Sequence, residues 1–352
     1  MAGSTSSISY LSKGLSQKGH RVYVGGRKES LLFHMLQNTG VNLIPMTFNG
    51  KLDIINIRQI KNTVKKYSID LINAQSSYDR YSSIFSKWIY KLNVKVVHTR
   101  RQIPRSIGGW LQNTFYLKGS DKIVAVSSEI KNALIKIGLL SDHIIVIPNG
   151  IPQEKYARVF DKRFIEKMKK DYGILPEDVV IGCVSRKKNQ EQLLRALRFI
   201  NIKTKVLFIG IEEHEIDQKL ILQVKNTHNI IFCGRVNHES VLNYYKLFTL
   251  HVLPSTTEGI SQTLLEAMAF GIPVIATRAA GNIDLIEEGY NGYLFEDNNI
   301  QELVVKIMKV IEKREFLGFL IANAKKTAIE KYSIANTINT YEKFFKQLIS
   351  KN

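Results

Sequence analysis

The sequence has few of the features that mark secreted, membrane-spanning or disulfide-bonded proteins. It contains two cysteines in 352 residues. Cys183 and Cys233 each end an apolar run, so both are expected in a core rather than in a disulfide. No run of about 18 apolar residues is present, as a membrane-spanning helix would need. The first seven residues lack the basic start and apolar stretch of a secretory signal. These absences predict a soluble cytoplasmic protein.

Several catalytic and binding motifs are also missing. There is no Asp-x-Asp motif, no His/Cys cluster with metal-ligand spacing and no recognisable Ser-His-Asp arrangement. The sequence also lacks zinc-finger and bZIP signatures and the aromatic-basic interleaving of RNA-binding modules. Chemistry without a bound metal or cofactor is therefore expected, and nucleic acid is not expected as a partner.

Negative charge is scarce in the first half of the chain. The net charge is +19, and residues 1–150 hold 21 Lys and Arg against 7 Asp and Glu. That half therefore carries +14, and the remainder +5. The asymmetry predicts an anionic partner for the first half, such as a membrane, a lipid phosphate or nucleic acid. An AT-rich genome that favours Lys would raise the total without concentrating it in one half.

Short apolar runs rich in Val and Ile alternate with helical stretches, as buried parallel strands in βαβ units do. The predicted strands are 21–24, 70–74, 94–99, 122–127 and 144–148, then 179–184, 206–210, 230–233, 250–253 and 273–276. The length suggests about two domains. The boundaries are drawn at 1–152, a linker region at 153–176, and 177–333, with a C-terminal amphipathic helix at 334–350 packing back on the first domain. The expected fold is α/β, with two Rossmann-like parallel-sheet domains facing a cleft.

The strongest chemical signal runs from Pro254 to Thr277. A strand is followed by a loop containing Glu258 and then by a helix for which Ser261 is a plausible N-cap. A loop that meets a helix start at the carboxyl end of a strand is an anion site suited to a diphosphate. Glu266 lies in that helix, where its carboxylate could accept hydrogen bonds from hydroxyl groups.

This segment resembles the E-x7-E signature of glycosyltransferase family four, whose members are retaining enzymes of the GT-B fold. The resemblance extends through Gly271-Ile272-Pro273-Val274 to Gly281, Asp284 and Asn291-Gly292. It implies that Glu258 contacts the transferred sugar and that Glu266 binds the ribose. The donor diphosphate would lie against the helix start, formed by Gly259, Ile260, Ser261 and Gln262.

Two further segments of the second half resemble the same family. Arg186, Lys187 and Lys188 follow a predicted strand, where the family has an Arg and a Lys that hold the diphosphate. The interval here is about three residues shorter, so either Lys187 or Lys188 could serve. Cations placed there can neutralise charge that builds on a leaving group. Gly234 and Val236 match the family's F-x-G-x-V loop, which packs near the base.

The first half carries weaker landmarks. His98 ends a predicted strand, where many relatives have a histidine near the sugar, and Arg100, Arg101 and Arg105 follow it as candidate ligands of acceptor phosphates. Gly3 matches the glycine that approaches the donor phosphate. In relatives a strand precedes that glycine, and here it is missing, so its neighbours are expected to expose unpaired edges.

These features predict a metal-independent hexosyltransferase. The donor would be a nucleotide diphosphate sugar, and the acceptor an anionic glycan or lipid-linked molecule at the cytoplasmic face of the inner membrane. Such an enzyme would serve the synthesis of lipopolysaccharide or another cell-surface polysaccharide. Three alternatives stay open: a degenerate member that binds donor without transfer, a basic nucleic-acid-binding protein and, within the fold, a sugar-nucleotide epimerase.

Overall fold

The computed structural model describes residues 3–104, 108–313 and 317–350. The chain divides into two compact units. The first comprises residues 1–150 together with 334–352, and the second comprises residues 151–333. Both units alternate strands with helices, and every strand pair in them is parallel. The fold is therefore α/β with parallel sheets in two domains.

The strands of the first unit form two separate sheets. One sheet pairs β1 (Tyr23–Gly26) with β2 (Asn42–Pro45). The other has the order β3-β4-β5-β6, formed by Leu71–Ala74, Lys95–Arg100, Lys122–Ala125 and Ile144–Val146. Within the described residues, β1 and β3 each pair on one side, and Gly25 in β1 is exposed. Each of these strands therefore leaves a row of backbone groups outside its ladder.

Helices cover the first unit's sheets. They are α1 (Gly3–Gln17), α2 (Leu31–Leu36), α3 (Ile54–Tyr67), α4 (Ser77–Ile89), α5 (Trp110–Gly119) and α6 (Ser128–Lys136). The C-terminal helix, Ile334–Ile349, belongs to this unit and buries Tyr341 and Phe344 against β4 and β5. Its apolar residues recur at helical spacing, so one stripe faces the sheet.

The second unit contains one six-stranded sheet of order β12-β11-β10-β7-β8-β9. In chain order its strands are β7 (Val179–Val184), β8 (Thr204–Ile209), β9 (Asn229–Phe232), β10 (Leu250–Leu253), β11 (Val274–Thr277) and β12 (Tyr293–Phe295). Strands β7, β10 and β11 are buried along their whole length, as expected for strands covered on both faces. Cys183 and Cys233 are free and pack in this core, as the sequence predicts.

The second unit's helices are α7 (Gln153–Tyr156), α8 (Lys162–Asp171), α9 (Glu191–Leu197), α10 (Gln218–Val224), α11 (His238–Tyr244), α12 (Gln262–Ala269), α13 (Asn282–Leu285), α14 (Ile300–Glu312) and α15 (Gly318–Lys326). Helices α7 and α8 occupy the segment interpreted as a linker. Ile165 and Met168 of α8 are buried in the main core of this unit, so the segment is part of the second unit. In the described part of the chain, no helix has both the length and the apolarity to cross a membrane.

Candidate functional site

The loops of the second unit that contain the predicted donor-binding residues lie at one edge of its sheet. The loops that follow β7, β8, β9 and β10 contain Ser185–Gln190, Gly210, Gly234 and Glu258–Ser261. Because all six strands are parallel, their carboxyl ends share this edge. In open α/β sheets this is the edge where ligands bind.

The buried Gln190 side chain organises the loop after β7. Its amide nitrogen donates to Ser185 Oγ and to the Arg186 carbonyl, each at 2.8 Å, and its Oε1 accepts from the Lys188 backbone amide at 2.6 Å. Asn189 has a φ of 60°, so the chain reverses there before α9. The backbone of the predicted diphosphate-binding residues is thereby fixed.

Lys188 and Glu258 are brought together as an ion pair between Nζ and Oε1. Both side chains are half-buried, and they come from loops 70 residues apart. Arg186 lies on the same loop with an exposed side chain, and no described residue pairs with its guanidinium. Lys187 points elsewhere: its Nζ donates to the Glu215 carbonyl at 2.5 Å. Of the two lysines, Lys188 is the one that joins the E-x7-E segment.

The loop before α12 ends at a capped helix start. Ser261 is the N-cap, as predicted, and its Oγ accepts from the Leu264 amide at 3.4 Å. Gly259 and Ile260 precede it, and Gln262 begins the helix. The first turn of a helix presents backbone amides and the positive end of the helix dipole. An anion that binds beside Lys188 and Glu258 would meet this turn.

Gly281, after β11, contacts the loop that carries Glu258. Its amide donates to the Glu258 carbonyl at 3.1 Å, and a Cβ at Gly281 would lie 1.7 Å from the Gly259 oxygen. Asn282 is fully buried and donates to the carbonyls of Ser255 and Thr277, at 3.1 and 3.0 Å. The position of Glu258 therefore depends on a backbone approach that a side chain at residue 281 would prevent.

Glu266 is buried, and its carboxylate is engaged by two side chains that the sequence did not single out. Lys155 Nζ lies 2.5 Å from Oε1, and the Tyr245 hydroxyl donates to Oε2 at 2.9 Å. Glu266 is 1% exposed and Lys155 6%. Burial and the charge of Glu266 hold the pKa of Tyr245 well above its ordinary value. The predicted ribose contact would have to use lone pairs that Lys155 and Tyr245 leave available.

The loop after β9 approaches the loop after β8 through glycines. Gly210 donates its amide to the Gly234 carbonyl at 2.8 Å, and both residues have positive φ, 97° and 64°. A Cβ at Gly234 would lie 2.8 Å from Glu212 Oε1. Val236 packs partly buried against the core. Gly234 and Val236 thus lie at the predicted edge, and their contact with the base stays a prediction.

In the first unit, His98 lies inside β4 and is 1% exposed. Burial, followed by the charges of Arg80 and Arg100, holds the pKa of His98 well below its ordinary value. The imidazole is therefore neutral at pH 7, and its Nε2 has no hydrogen-bond partner within the described residues. Gly3 begins α1, so its amide belongs to a helix start.

The two described arginines after His98, Arg100 and Arg101, have different surroundings. Arg100 ends β4, and burial together with the charge of Arg80, a buried α4 residue that the sequence did not single out, lowers the pKa of Arg100 to about 10. Arg101 instead donates through Nη1 to Gln75 Oε1, and burial lowers the pKa of its guanidinium. Arg105 lies outside the described residues. These two arginines, although adjacent in sequence, therefore have different neighbours: Arg80 for Arg100 and Gln75 for Arg101.

Sequence reasoning missed Lys155, Tyr245 and Arg80 because each acts on a partner that is distant in sequence; no spacing rule relates Lys155 to Glu266, which is 111 residues away. It missed Gln190 because the hydrogen bonds of this side chain to its own loop depend on how the loop folds. Within residues 3–104, 108–313 and 317–350, no group of three or more His, Cys, Asp or Glu could hold a metal. That transfer needs no metal ion stays a prediction.

Two family models match the chain: Glycosyltransferase Family 4 over residues 1–155 and Glycosyl transferases group 1 over residues 164–327. An uncharacterized glycosyltransferase of Methanocaldococcus jannaschii is 26% identical, over 93% of this chain and 95% of that protein. The capsular polysaccharide biosynthesis glycosyltransferase CapM of Staphylococcus aureus is 24% identical, over 87% of each. The structure of Anabaena HepE in complex with UDP superposes with a TM-score of 0.83 and 20% identity, covering 98% of this chain and 96% of that one.

The two parallel-sheet units and these matches define the class of protein as glycosyltransferases of the GT-B fold. The chain belongs to glycosyltransferase family 4, and its function lies in glycan biosynthesis. The family resemblance of the E-x7-E segment is thereby confirmed, by models that cover residues 1–155 and 164–327.

Proposed function

We propose that the protein is a retaining hexosyltransferase that takes its sugar from a nucleoside diphosphate donor. Its acceptor would be an anionic glycan or lipid-linked molecule used in cell-surface polysaccharide or lipopolysaccharide synthesis. The observation that carries the donor proposal is the Lys188–Glu258 pair beside the helix start at Ser261. A cation, helix amides and a carboxylate then meet at one point, which suits a phosphate joined to a sugar.

Each of these groups has a part in the proposed transfer. The bond between the anomeric carbon and the diphosphate oxygen breaks, and its electron pair stays on the diphosphate. Arg186, Lys188 and the first turn of α12 would stabilise that charge as it develops. Glu258 would hold a sugar hydroxyl. The acceptor hydroxyl forms the new bond on the same face of the sugar, and a departing phosphate oxygen receives its proton, so no side chain gains or loses a proton overall.

Known relatives support the chemical class of donor and product. HepE of Anabaena binds UDP in its crystal structure. CapM of Staphylococcus aureus is named for capsular polysaccharide biosynthesis. A uridine diphosphate sugar is therefore the first donor to test, followed by its guanosine and adenosine counterparts.

The donor is tested by measuring the melting temperature with a panel of nucleotide sugars, followed by transfer assays. We expect one nucleotide series to raise the melting temperature, because a ligand that binds the native state stabilises it. The anomeric configuration of the product, read by NMR, should match that of the donor. Inversion would contradict the retaining mechanism, and stabilisation without turnover would favour a donor-binding protein without transfer activity. If no nucleotide diphosphate stabilises the protein, the donor proposal fails.

Transfer is also proposed to need no metal ion, because Arg186, Lys188 and the helix start provide positive charge for the diphosphate. A saturating chelator should leave the initial rate within twofold of the untreated rate. Loss of activity on chelation, restored by a divalent cation, would contradict this part of the proposal.

We further propose cytoplasmic localisation and peripheral contact of the first unit with the inner membrane face. Support comes from the +14 charge of residues 1–150 and from exposed apolar side chains in that unit, among them Leu52, Ile54, Ile55, Trp110 and Leu111. Co-sedimentation with anionic vesicles should exceed that with neutral vesicles and fall as salt rises. Equal and weak sedimentation with both would contradict membrane contact.

A further inference from the structure

A cluster of positive charge is buried in the first unit, and no ion pair with a carboxylate is found for it among the described residues. Arg80, from α4, is 5% exposed, and its Nη1 donates to the Tyr116 hydroxyl at 3.2 Å. Arg100, at the end of β4, is half-buried. Within the described residues, neither guanidinium forms an ion pair, and Arg80 Nε has no hydrogen-bond partner. Burying an unpaired charge is costly, so native proteins seldom leave one.

The two arginines act on the same neighbours. The Arg80 guanidinium lies 5.4 Å from the centre of the Tyr116 ring, and the centre of the His98 ring lies 5.7 Å from the centre of the same Tyr116 ring. Burial and the charge of Arg80 lower the pKa of Arg100 to about 10. Both arginines depress the pKa of His98, after the larger effect of burial. Because side chains alternate along a strand, Arg100 lies on the same face of β4 as His98, and the Tyr116 ring is the common neighbour of His98 and Arg80.

Asp79, a half-buried carboxylate next to Arg80 in the chain, already has other hydrogen-bond partners. The charge of Arg80 acts on Asp79, but Asp79 accepts from the backbone amides of Gln75 and Ser76 at 2.8 and 2.7 Å, in the capping box of α4. It therefore holds the helix start. Tyr116 is the other polar contact of Arg80; burial tends to raise its pKa, but Arg80 and the Tyr81 hydrogen bond bring it below its ordinary value. Neither arginine of the pair therefore forms an ion pair with a carboxylate among the described residues.

We propose that Arg80 and Arg100 bind a phosphate group of the acceptor, with the neutral His98 Nε2 as an additional polar contact. Two guanidinium groups suit a ligand that carries close to two negative charges and several acceptor oxygens, as a phosphate monoester does. A carboxylate offers one charge and two oxygens. The pocket itself rests on the charges of the first unit, and its assignment to the acceptor rests on the proposed function.

Arg100→Met is the decisive variant. Arg100 is half-buried, and its removal relieves repulsion with Arg80, so the unliganded protein should keep its melting temperature. Titration calorimetry with inorganic phosphate, at constant ionic strength and with excess UDP present to fill the proposed donor site, should show at least tenfold weaker binding than wild type, since a charge-assisted hydrogen bond is lost. Arg21→Met removes an exposed arginine of the same unit, and its phosphate affinity should stay within twofold of wild type. Equal phosphate affinities for these two variants would overturn the proposal.

Three further titrations separate the possible outcomes. Lys188→Met should weaken UDP binding while leaving phosphate binding unchanged, and Arg100→Met should do the reverse. If UDP fails to bind wild type while the phosphate pattern holds, the proposed function fails and the anion pocket stands. Acetate binding as tightly as phosphate would replace the phosphate assignment with a carboxylate.

Arg80→Met, checked for folding by circular dichroism, should weaken phosphate binding as Arg100→Met does. If both variants have a lowered melting temperature but keep their phosphate affinity, the two arginines have a structural role and the proposal is overturned.

Discussion

Single residues determine how the candidate donor site is held. The contact between Lys188 and Glu258 joins two segments that the sequence identifies separately. Their residue types are visible in the sequence, because an E-x7-E spacing and a basic loop after a strand are local patterns. Lys155 and Tyr245 are invisible to such patterns, because their importance arises from burial around Glu266.

Lys155 is expected to be a major stabilising residue of the second unit. In Lys155→Met the Glu266 carboxylate stays buried without its cation, which should lower the free energy of unfolding by about 3–5 kcal/mol. Urea denaturation measures this change. Lys169→Met removes the cation of an exposed i,i+3 pair with Glu166 and should cost less than about 1 kcal/mol. A double variant, Lys155→Met with Glu266→Gln, should recover part of the loss, and equal effects of the two lysine variants would contradict the prediction.

His251 should contribute to the pH dependence of stability. It is fully buried in β10, its Nδ1 lies 3.1 Å from the Gly182 carbonyl, and burial lowers its pKa to about 4. The unfolded state, with an ordinary pKa near 6.5, binds the proton first as pH falls. Stability from this group is therefore complete above pH 6.5 and is lost between pH 6.5 and 4, by up to about 3 kcal/mol.

The measurement is the free energy of unfolding as a function of pH for wild type and His251→Gln. The variant should show a shallower decline between pH 6.5 and 4 than wild type. His34→Gln, which changes an exposed histidine, serves as the matched control. Identical pH slopes for wild type and His251→Gln would show that His251 titrates normally in the native state.

At the scale of elements, the strands of the second unit were largely predictable. The runs Val179–Val184 and Leu250–Leu253 are found with the predicted bounds, because continuous Val, Ile and Leu runs signal strands buried on both faces. Strand β2 was missed: Asn42–Pro45 is four residues long and ends in a proline, which is tolerated at a sheet edge. Strand β12 was missed because its three residues form too short a run to show a period.

The contact between the loops after β10 and β11 can be tested at Gly281. In Gly281→Ala the new Cβ would lie 1.7 Å from the Gly259 oxygen, so the loop that carries Glu258 must move. We expect the affinity for UDP to fall at least tenfold and the free energy of unfolding to fall by about 1–3 kcal/mol. Titration calorimetry and urea denaturation measure the two effects.

Gly318→Ala is the matched control, because nothing lies within 4 Å of the Cβ it would add at the start of α15. That variant should keep the UDP affinity and be neutral or slightly stabilising. An unchanged UDP affinity in Gly281→Ala would mean that the backbone approach does not position the donor site.

For the whole molecule, the sequence predicted two α/β units of parallel sheet, because strand and helix signals alternate throughout. What it could not predict is how the segment from residue 153 to residue 176 packs, since a charged stretch without strands resembles a linker. In the structure that segment supplies Lys155 to Glu266 and buries Met168 in the core. The excess of positive charge in the first half is also a property of the whole molecule. Arg80 and Arg100 are one specific place in the first unit where that charge is concentrated.

We propose above all that the donor diphosphate binds beside Lys188, Glu258 and the start of α12. The most direct measurement is the dissociation constant for UDP of Lys188→Met beside that of Lys169→Met, which removes an exposed lysine of the same unit. Loss of a charge-assisted contact should weaken UDP binding by Lys188→Met at least tenfold and leave the control within twofold of wild type. Equal UDP affinities for the two variants would contradict the claim.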